Sequence, residues 1–253
     1  MEMSKKVICW FSGGITSAVA CKKAIEMYGA TPIYIETGSH HPDSMRFLKD
    51  CEVWYGKSIQ ILQSTKYEDH FDVIRKDKYV NGPAGARCTM VLKRHIREKW
   101  ERENKGTYDY VWGFEFGAAE QLRAERIKVT IPGHSHMFPL IDLKLSKPDC
   151  INLVAAAGIE IPMMYKLGFN NNNCIGCVKG GMAYWNLVRK NFPEHFNKMA
   201  VLEREIGRSC LKKYFLDELP LDAGRGTAPL VQDCGSVGEG CMTTLSRQYH
   251  GRE

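Results

Sequence analysis

The sequence predicts an α/β protein, a mostly parallel sheet with helices on both faces plus a helical C-terminal region, and three observations carry that prediction. Short β-rich runs recur at residues 7–11, 32–36, 58–62, 108–114 and 137–141, separated by helix-patterned segments. The first run breaks into a Gly-Gly turn and continues directly as a helical pattern. Beyond Asn170 the texture changes to helices alone.

In chain order, the mostly apolar residues 7–11 form the first strand, and Ser12-Gly13-Gly14-Ile15-Thr16-Ser17 forms the turn after it. Behind Ser17, residues Val19, Ala20, Ala24, Met27 and Tyr28 fall at helical spacing, and Gly29 supplies a stop. The remaining β-rich runs repeat the strand–helix alternation without an internal repeat or a linker. Asn170 to Asn173 reads as a turn. Residues 184–189 and 193–206 read as two helices; Pro193 suits a first turn, and Phe196, Met199, Leu202 and Ile206 share one face. From Leu219 the chain is rich in Gly, Pro and Asp and is expected to wrap the surface as a tail. The expected division is an α/β domain over residues 1–168 and a cysteine-containing helical region with its tail over residues 169–253.

A chain of 253 residues can bury one large core without disulfides. Its 35 basic and 29 acidic residues give a net charge of +6, which favours phosphorylated or nucleic-acid partners but equally suits a soluble surface. No window has the apolar length of a membrane span, and the short apolar run after Lys5-Lys6 enters the glycine turn instead of a cleavage site. The expectation is a cytoplasmic protein without a membrane partner. Ten cysteines in that compartment are expected to be reduced, so those that cluster point to a metal, a cluster or redox chemistry.

A strand that feeds a helix through Gly-Gly leaves backbone N–H groups bare where the helix dipole favours negative charge. Phosphate fits there: Gly13 and Gly14 allow close approach, and Ser12, Thr16 and Ser17 add hydroxyl donors. The Lys of a Walker loop and the Gly spacing of a dinucleotide fingerprint are both missing. On these six residues alone, an ordinary tight turn reads the same.

The longer pattern is more specific. Ser12 to Ser17 resembles the pyrophosphate-binding loop of the PP-loop ATP pyrophosphatases, in its usual place after the first strand. "YIETGSHHPDSMRFL", "GFEFGAAEQLRAERI", "FPLIDLKLSKPDC" and "MYKLGFNNNNCIGC" resemble, in order, later blocks of the phosphoadenosine phosphosulfate (PAPS) reductase-like branch of that superfamily. The likeness runs from about Lys6 to Leu202. It implies a Rossmann-like, adenine nucleotide alpha hydrolase-like fold and an adenine nucleotide site. By position, Ser12, Gly13, Gly14, Thr16 and Ser17 would cradle phosphates, with Glu36, Thr37 and Gly38 beside the nucleotide at the end of the second strand. Glu120, Arg123 and Arg126 would face the same crevice, the arginines pairing with phosphate or sulfate oxygens; without the likeness these three read as a solvated helix face. Ser12, Ser17, Glu120 and Arg123 are thereby catalytic candidates. One departure is Thr16, where many PP-loop enzymes carry Asp, and it bears on magnesium-assisted ATP cleavage.

Cys174-Ile175-Gly176-Cys177 places two thiols on a turn, enough for one edge of a metal. Tetrahedral zinc and a cubane [4Fe–4S] cluster each need more ligands, so Cys88 and either Cys234 or Cys241 are candidates. Cys88 matches the position where cluster-bearing members of the family place a cysteine, which makes it the expected third ligand. Cys234 is the expected fourth, since the tail can fold it back. Cluster and structural zinc would use the same residues, the resemblance favouring the cluster. A redox dithiol leaves Cys88 unexplained. Cys9, Cys21, Cys51, Cys150 and Cys210 read as buried packing residues, and His40-His41 as loop residues reaching a phosphate or water.

Two enzymatic expectations follow from the resemblance. In the first, ATP with magnesium adenylates an acceptor, tRNA or DNA, and a sulfur donor then displaces the adenylate. Lys93, Arg94, Arg97, Lys99, Arg189, Lys190, Lys212 and Lys213 are the candidate phosphate contacts on such a partner, or simply solubilising charges. In the second, a sulfonucleotide is reduced by a Cys234 nucleophile with a thioredoxin-like reductant; Asp233-Cys234-Gly235-Ser236 only partly echoes the tail of those reductases. A third expectation is a non-catalytic nucleotide or nucleic-acid binding protein with structural zinc. Homodimerisation is left open.

Overall fold

The computed structural model describes residues 6–82, 85–231, 234, 235, 237 and 238. Along the chain come β1 (Lys6–Phe11), α1 (Ile15–Tyr28), β2 (Thr31–Glu36), α2 (Asp43–Tyr55), β3 (Gln60–Gln63) and α3 (His70–Asp77). A short α4 (Arg87–Thr89), a π-helical turn (Met90–Arg94) and α5 (His95–Glu103) lead to β4 (Tyr108–Val111), α6 (Ala118–Thr130) and β5 (Ser135–Met137). Then follow α7 (Pro139–Asp142), α8 (Lys147–Ala156), α9 (Met163–Lys166), α10 (Met182–Asn191) and α11 (Pro193–Ile206). These elements fall into two compact units.

The first unit comprises the chain through Ile35, Pro42–Leu62 and Arg97–Met163. Its sheet has the order β3-β2-β1-β4-β5. β1 pairs in parallel with β2 and β4, and β4 with β5. This is the α/β architecture the sequence predicts. β1 sits centrally, which is why Ile8, Cys9, Trp10 and Phe11 are all buried. On α1, Val19, Ala20 and Ala24 are buried while Met27 and Tyr28 are exposed, and Gly29 ends the helix in the left-handed conformation.

Three expectations are corrected here. The strand expected at 137–141 ends at Met137, because Pro139 with its fixed φ opens α7 instead. The strand expected at 108–114 ends at Val111, with one further ladder bond from Trp112 N–H to the Met137 carbonyl at 3.1 Å. Cys9 and Cys21 are buried as expected but are joined to each other by a disulfide, not reduced. Cys9 on β1 and Cys21 on α1 lie 5.5 Å apart at their Cα atoms, inside the range a disulfide spans.

The second unit comprises Glu36–His41, Gln63–Ile96 and the chain from Met164 onward. Phe71, Ile74, Met164, Phe169, Tyr184, Trp185, Val188 and Phe196 lead its apolar core. Phe196, Met199 and Leu202 of α11 are buried there and Ile206 packs against it, the face read from sequence. The same helix buries Glu203 completely. Its carboxylate accepts hydrogen bonds from the Leu216 N–H at 2.7 Å, the Ser209 hydroxyl at 3.3 Å and the Cys210 N–H. A buried polar group is tolerated when it is so satisfied, and here it shapes the loop after α11. Among the described residues no helix is long and apolar enough to cross a membrane.

Candidate functional sites

The first unit carries the glycine turn. α1 starts behind Gly14 with no side-chain cap from that residue and no acidic residue in its own first turn, where the helix dipole favours negative charge. Ser17 organises the turn: its hydroxyl accepts from the Ser12 N–H at 3.2 Å and donates to the Gly14 carbonyl at 2.9 Å. With that proton committed, the Ser12 hydroxyl donates to Ser17 Oγ across 2.8 Å. Thr16 is half-buried beside them.

Strand order reverses between β1 and β4, and the crevice at the carboxyl ends of two such strands is where open α/β sheets take ligands. The segment after β4 lies against the turn. A Cβ on Gly113 would sit 2.5 Å from the Ser17 Cα, so only glycine permits the approach. Seven residues on, Glu120 and Arg123 pair at 3.0 Å on α6, and the Arg123 guanidinium lies 3.9 Å over the Phe114 ring. Arg126 is exposed on the same helix.

The second unit carries the cysteines. Cys88, Cys174, Cys177 and Cys234 line one cavity together with Thr37, Thr89, His70, Lys93 and Lys179. Thr37 Oγ1 lies 3.4 Å from Cys174 Sγ and Thr89 Oγ1 lies 3.1 Å from Cys234 Sγ. Lys93 and Lys179 are buried, and the Lys93 ammonium donates to the Gly235 carbonyl at 2.7 Å. Among the described residues no group of three or more His, Cys, Asp or Glu side chains is arranged to hold a single metal ion.

Electrostatics separates the thiols. Burial and the neighbouring sulfurs push Cys88 and Cys177 well above the usual thiol range. Burial pushes Cys174 the same way, but the His40 imidazole, Lys93 and the Thr37 hydrogen bond outweigh it and bring Cys174 down. Burial opposes charge on His40 as well, and Cys174 with Glu36 overcomes it and raises His40. Loading four such thiols with a metal group releases protons.

His70 holds the cavity wall. The neutral ring takes the Ser39 hydroxyl at 2.8 Å on Nδ1 and donates from Nε2 to the Gly176 carbonyl at 3.1 Å, while burial holds its pKa down to about 4.

The residues named from sequence thus sort into two groups. Ser12, Gly13, Gly14, Thr16 and Ser17 form the turn, and Glu120, Arg123 and Arg126 lie on α6 of the same unit. Thr37, expected beside the nucleotide, lies against Cys174; Glu36 lies 3.6 Å from His40 Nδ1 and accepts the Gly38 N–H at 2.6 Å. Cys241, the alternative fourth ligand, lies outside the described residues. Of the candidate phosphate contacts, Lys93 faces the cysteine cavity and buried Arg97 pairs with Glu101 at 2.6 Å. Arg189 donates to the Leu216 and Leu219 carbonyls, whereas Lys190, Lys212 and Lys213 are exposed. Sequence reasoning missed His70, Tyr184 and Lys179. Only Lys179 had a local signal, two residues beyond Cys177.

Comparison with known proteins fixes the family. Residues 6–182 match the phosphoadenosine phosphosulfate reductase domain family. The chain belongs to that family. An uncharacterized protein of Methanocaldococcus jannaschii is 23% identical to this PAPS reductase family member over 203 residues, 78% of this chain and 47% of that protein, so the chain spans about half the length of the curated relative it matches. The crystal structure of a PAPS reductase from Candida auris in complex with phosphate is similar with a TM-score of 0.48 at 11% identity, covering 67% of this chain and 80% of that one.

Proposed function

We propose that the protein is a PP-loop sulfurtransferase: it binds ATP, adenylates an acceptor on nucleic acid, and exchanges the adenylate for sulfur handled at an iron–sulfur centre. The observation that carries this reading over sulfonucleotide reduction is the place of Cys234. It lines the same cavity as Cys88, Cys174 and Cys177, as a fourth ligand would, instead of standing apart as a nucleophile. The donor set fits the group: four thiols rim a space, with two buried lysines beside it to balance negative charge. Structural zinc would use the same four thiols, and the family resemblance at Cys88 favours the cluster.

In the first half-reaction the acceptor oxygen attacks the α-phosphorus of ATP, the bond to the β-phosphate breaks, and pyrophosphate leaves. The turn from Ser12 to Ser17 supplies amides and hydroxyls to the departing charge, and magnesium would share in neutralising it. Arg123, held over Phe114 and against Glu120, offers a fixed guanidinium to a phosphate oxygen. In the second, a sulfide-level sulfur attacks the carbon bearing the adenylate and AMP leaves with the bonding pair. Cys88, Cys174, Cys177 and Cys234 would hold the cluster, and exchange of one of these thiolates for that sulfur is the chemistry it would supply.

The test is anaerobic purification with iron and acid-labile sulfide assays, followed by incubation with ATP, magnesium, sulfide and nucleic acid. The expected result is a brown protein that releases AMP and pyrophosphate in step with sulfur incorporation, and that loses its iron in Cys88→Ser, Cys174→Ser, Cys177→Ser and Cys234→Ser. Sulfite release from a sulfonucleotide, abolished in Cys234→Ser with metal content unchanged, would establish the reductase instead.

A further inference from the structure

A four-residue turn commonly joins the carbonyl of its first residue to the N–H of its fourth. The turn from Cys174 to Cys177 is of that kind, but the contact between its ends is weaker than a hydrogen bond of normal geometry. The Tyr184 phenol reinforces it, donating to the Cys174 carbonyl at 2.7 Å and accepting from the Cys177 N–H at 2.9 Å. One hydroxyl bridges the two ends of the turn.

The surroundings are built to keep it there. Tyr184 is buried on the first turn of α10, edge-on to Phe169 at 5.4 Å and to Trp185 at 5.8 Å. Gly180 makes room for its ring, since a Cβ there would lie 2.0 Å from Tyr184 Cδ1. The middle of the turn is fixed from the other side. Gly176 takes φ 76°, His70 Nε2 donates to its carbonyl, and the Ile175 N–H donates to the Ser39 carbonyl at 2.9 Å. The backbone between the two thiols therefore has partners at each of its four residues, and the one at both ends is the same phenol.

We infer that Tyr184 is the positioning residue of the cysteine centre: its hydroxyl clamps the two ends of the Cys174–Cys177 turn and sets the spacing at which the two thiols present themselves to a soft metal group. This rests on the reading of Cys174 and Cys177 as ligands. Without the hydroxyl the two ends of the turn lose their shared partner, and the thiols are free to move relative to Cys88 and Cys234. A side chain that only filled the core would not need a hydroxyl at that point; phenylalanine would pack as well.

The experiment uses the full chain, reduced and metal-free under anaerobic conditions, titrated with Cd²⁺ and followed by thiolate-to-cadmium absorption in the ultraviolet. Tyr184→Phe is expected to weaken cadmium uptake at least tenfold. Val188→Ala, which removes buried volume one turn along the same helix, is expected to lower the melting temperature but leave uptake within twofold. Gly180→Ala, which displaces the ring without removing the hydroxyl, is expected to fall between them. Wild-type uptake in Tyr184→Phe, an equal loss in Val188→Ala, or no cadmium uptake by the wild type would each overturn the inference. Wild-type protein that takes up cadmium in this pattern yet reconstitutes neither iron–sulfur nor zinc would leave the role of Tyr184 standing and remove the proposed function.

Discussion

The glycine turn and the cysteine cavity are made in opposite ways. The turn is six consecutive residues, and each of its internal hydrogen bonds spans five positions or fewer. The cavity gathers residues from five separate stretches, and the Thr89–Cys234 contact spans 145 positions. A local site needs only a strand, a helix and small residues between them. A site assembled from afar needs a buried polar frame, and here Ser39, His70 and Tyr184 supply it. The first kind leaves a motif in the sequence; the second leaves its ligands there but hides what holds them.

The largest effects are expected where each unit admits a neighbour through a glycine. In Gly113→Ala the new Cβ meets Ser17 backbone, 2.5 Å from Cα and 2.7 Å from N, and neither atom can yield without moving the turn. The expected cost is about 3 kcal/mol, the upper end for overpacking, seen as a lower urea midpoint, with ATP affinity falling in step. Gly180→Ala meets an aromatic ring instead of backbone, and the expected cost is about 2 kcal/mol with metal uptake reduced and ATP binding kept. Equal damage to nucleotide binding in both variants would break the contrast.

Ser17→Ala comes next. It removes the acceptor for the Ser12 N–H and the donor to the Gly14 carbonyl while leaving the helix intact. A destabilisation of about 1 kcal/mol is expected, alongside a larger proportional loss of ATP affinity that calorimetry would read. Stability lost with affinity unchanged would mean that the turn is only a turn.

How far each site was legible follows from the same contrast. The strand, the Gly-Gly break and the helix after it are written in contiguous residues, and all three stand where the sequence places them. Pro139 shows the limit: the apolar run around it reads as a strand, but a proline after Phe138 starts a helix. Cys88, Cys174, Cys177 and Cys234 were legible as thiols with suggestive spacing. Tyr184 was not, because nothing in a helical run marks the one hydroxyl that reaches back to a turn. Thr37 was legible as a residue at the end of a strand, but its cysteine partner lies 137 positions away. The Cys9–Cys21 bond was hidden for a different reason: both residues suit a buried apolar site, and only the packing of α1 on β1 brings them together.

A smaller effect should appear in the pH dependence of stability. His136 on β5 accepts from the Trp112 indole on Nδ1 at 3.0 Å and donates from Nε2 to the Ile131 carbonyl at 2.9 Å, so the neutral ring is fully used. Burial holds its pKa below the ordinary 6.5. A protonated ring would set a second donor against the indole N–H. Its contribution to stability is therefore complete above the unfolded value and is lost as pH falls through the folded one, because the unfolded chain takes up the proton first. Urea unfolding at pH 7.5 and 5.5 should show a smaller difference for His136→Gln than for the wild type. An unchanged difference would place the pH response elsewhere.

The smallest expected effect is also the one that separates ligand contact from fold. Arg123 is tied to the protein through Glu120 and the Phe114 face, so Arg123→Ala should lose packing as well as charge. Arg126, one turn along, is exposed, and an exposed side chain of this kind typically moves stability by less than about 0.5 kcal/mol when removed. Arg126→Ala should therefore melt with the wild type. If it also binds ATP with wild-type affinity, the crevice side of α6 ends at Arg123. If its affinity falls several-fold at an unchanged melting temperature, the guanidinium reaches the nucleotide, since no loss of structure is left to account for the change.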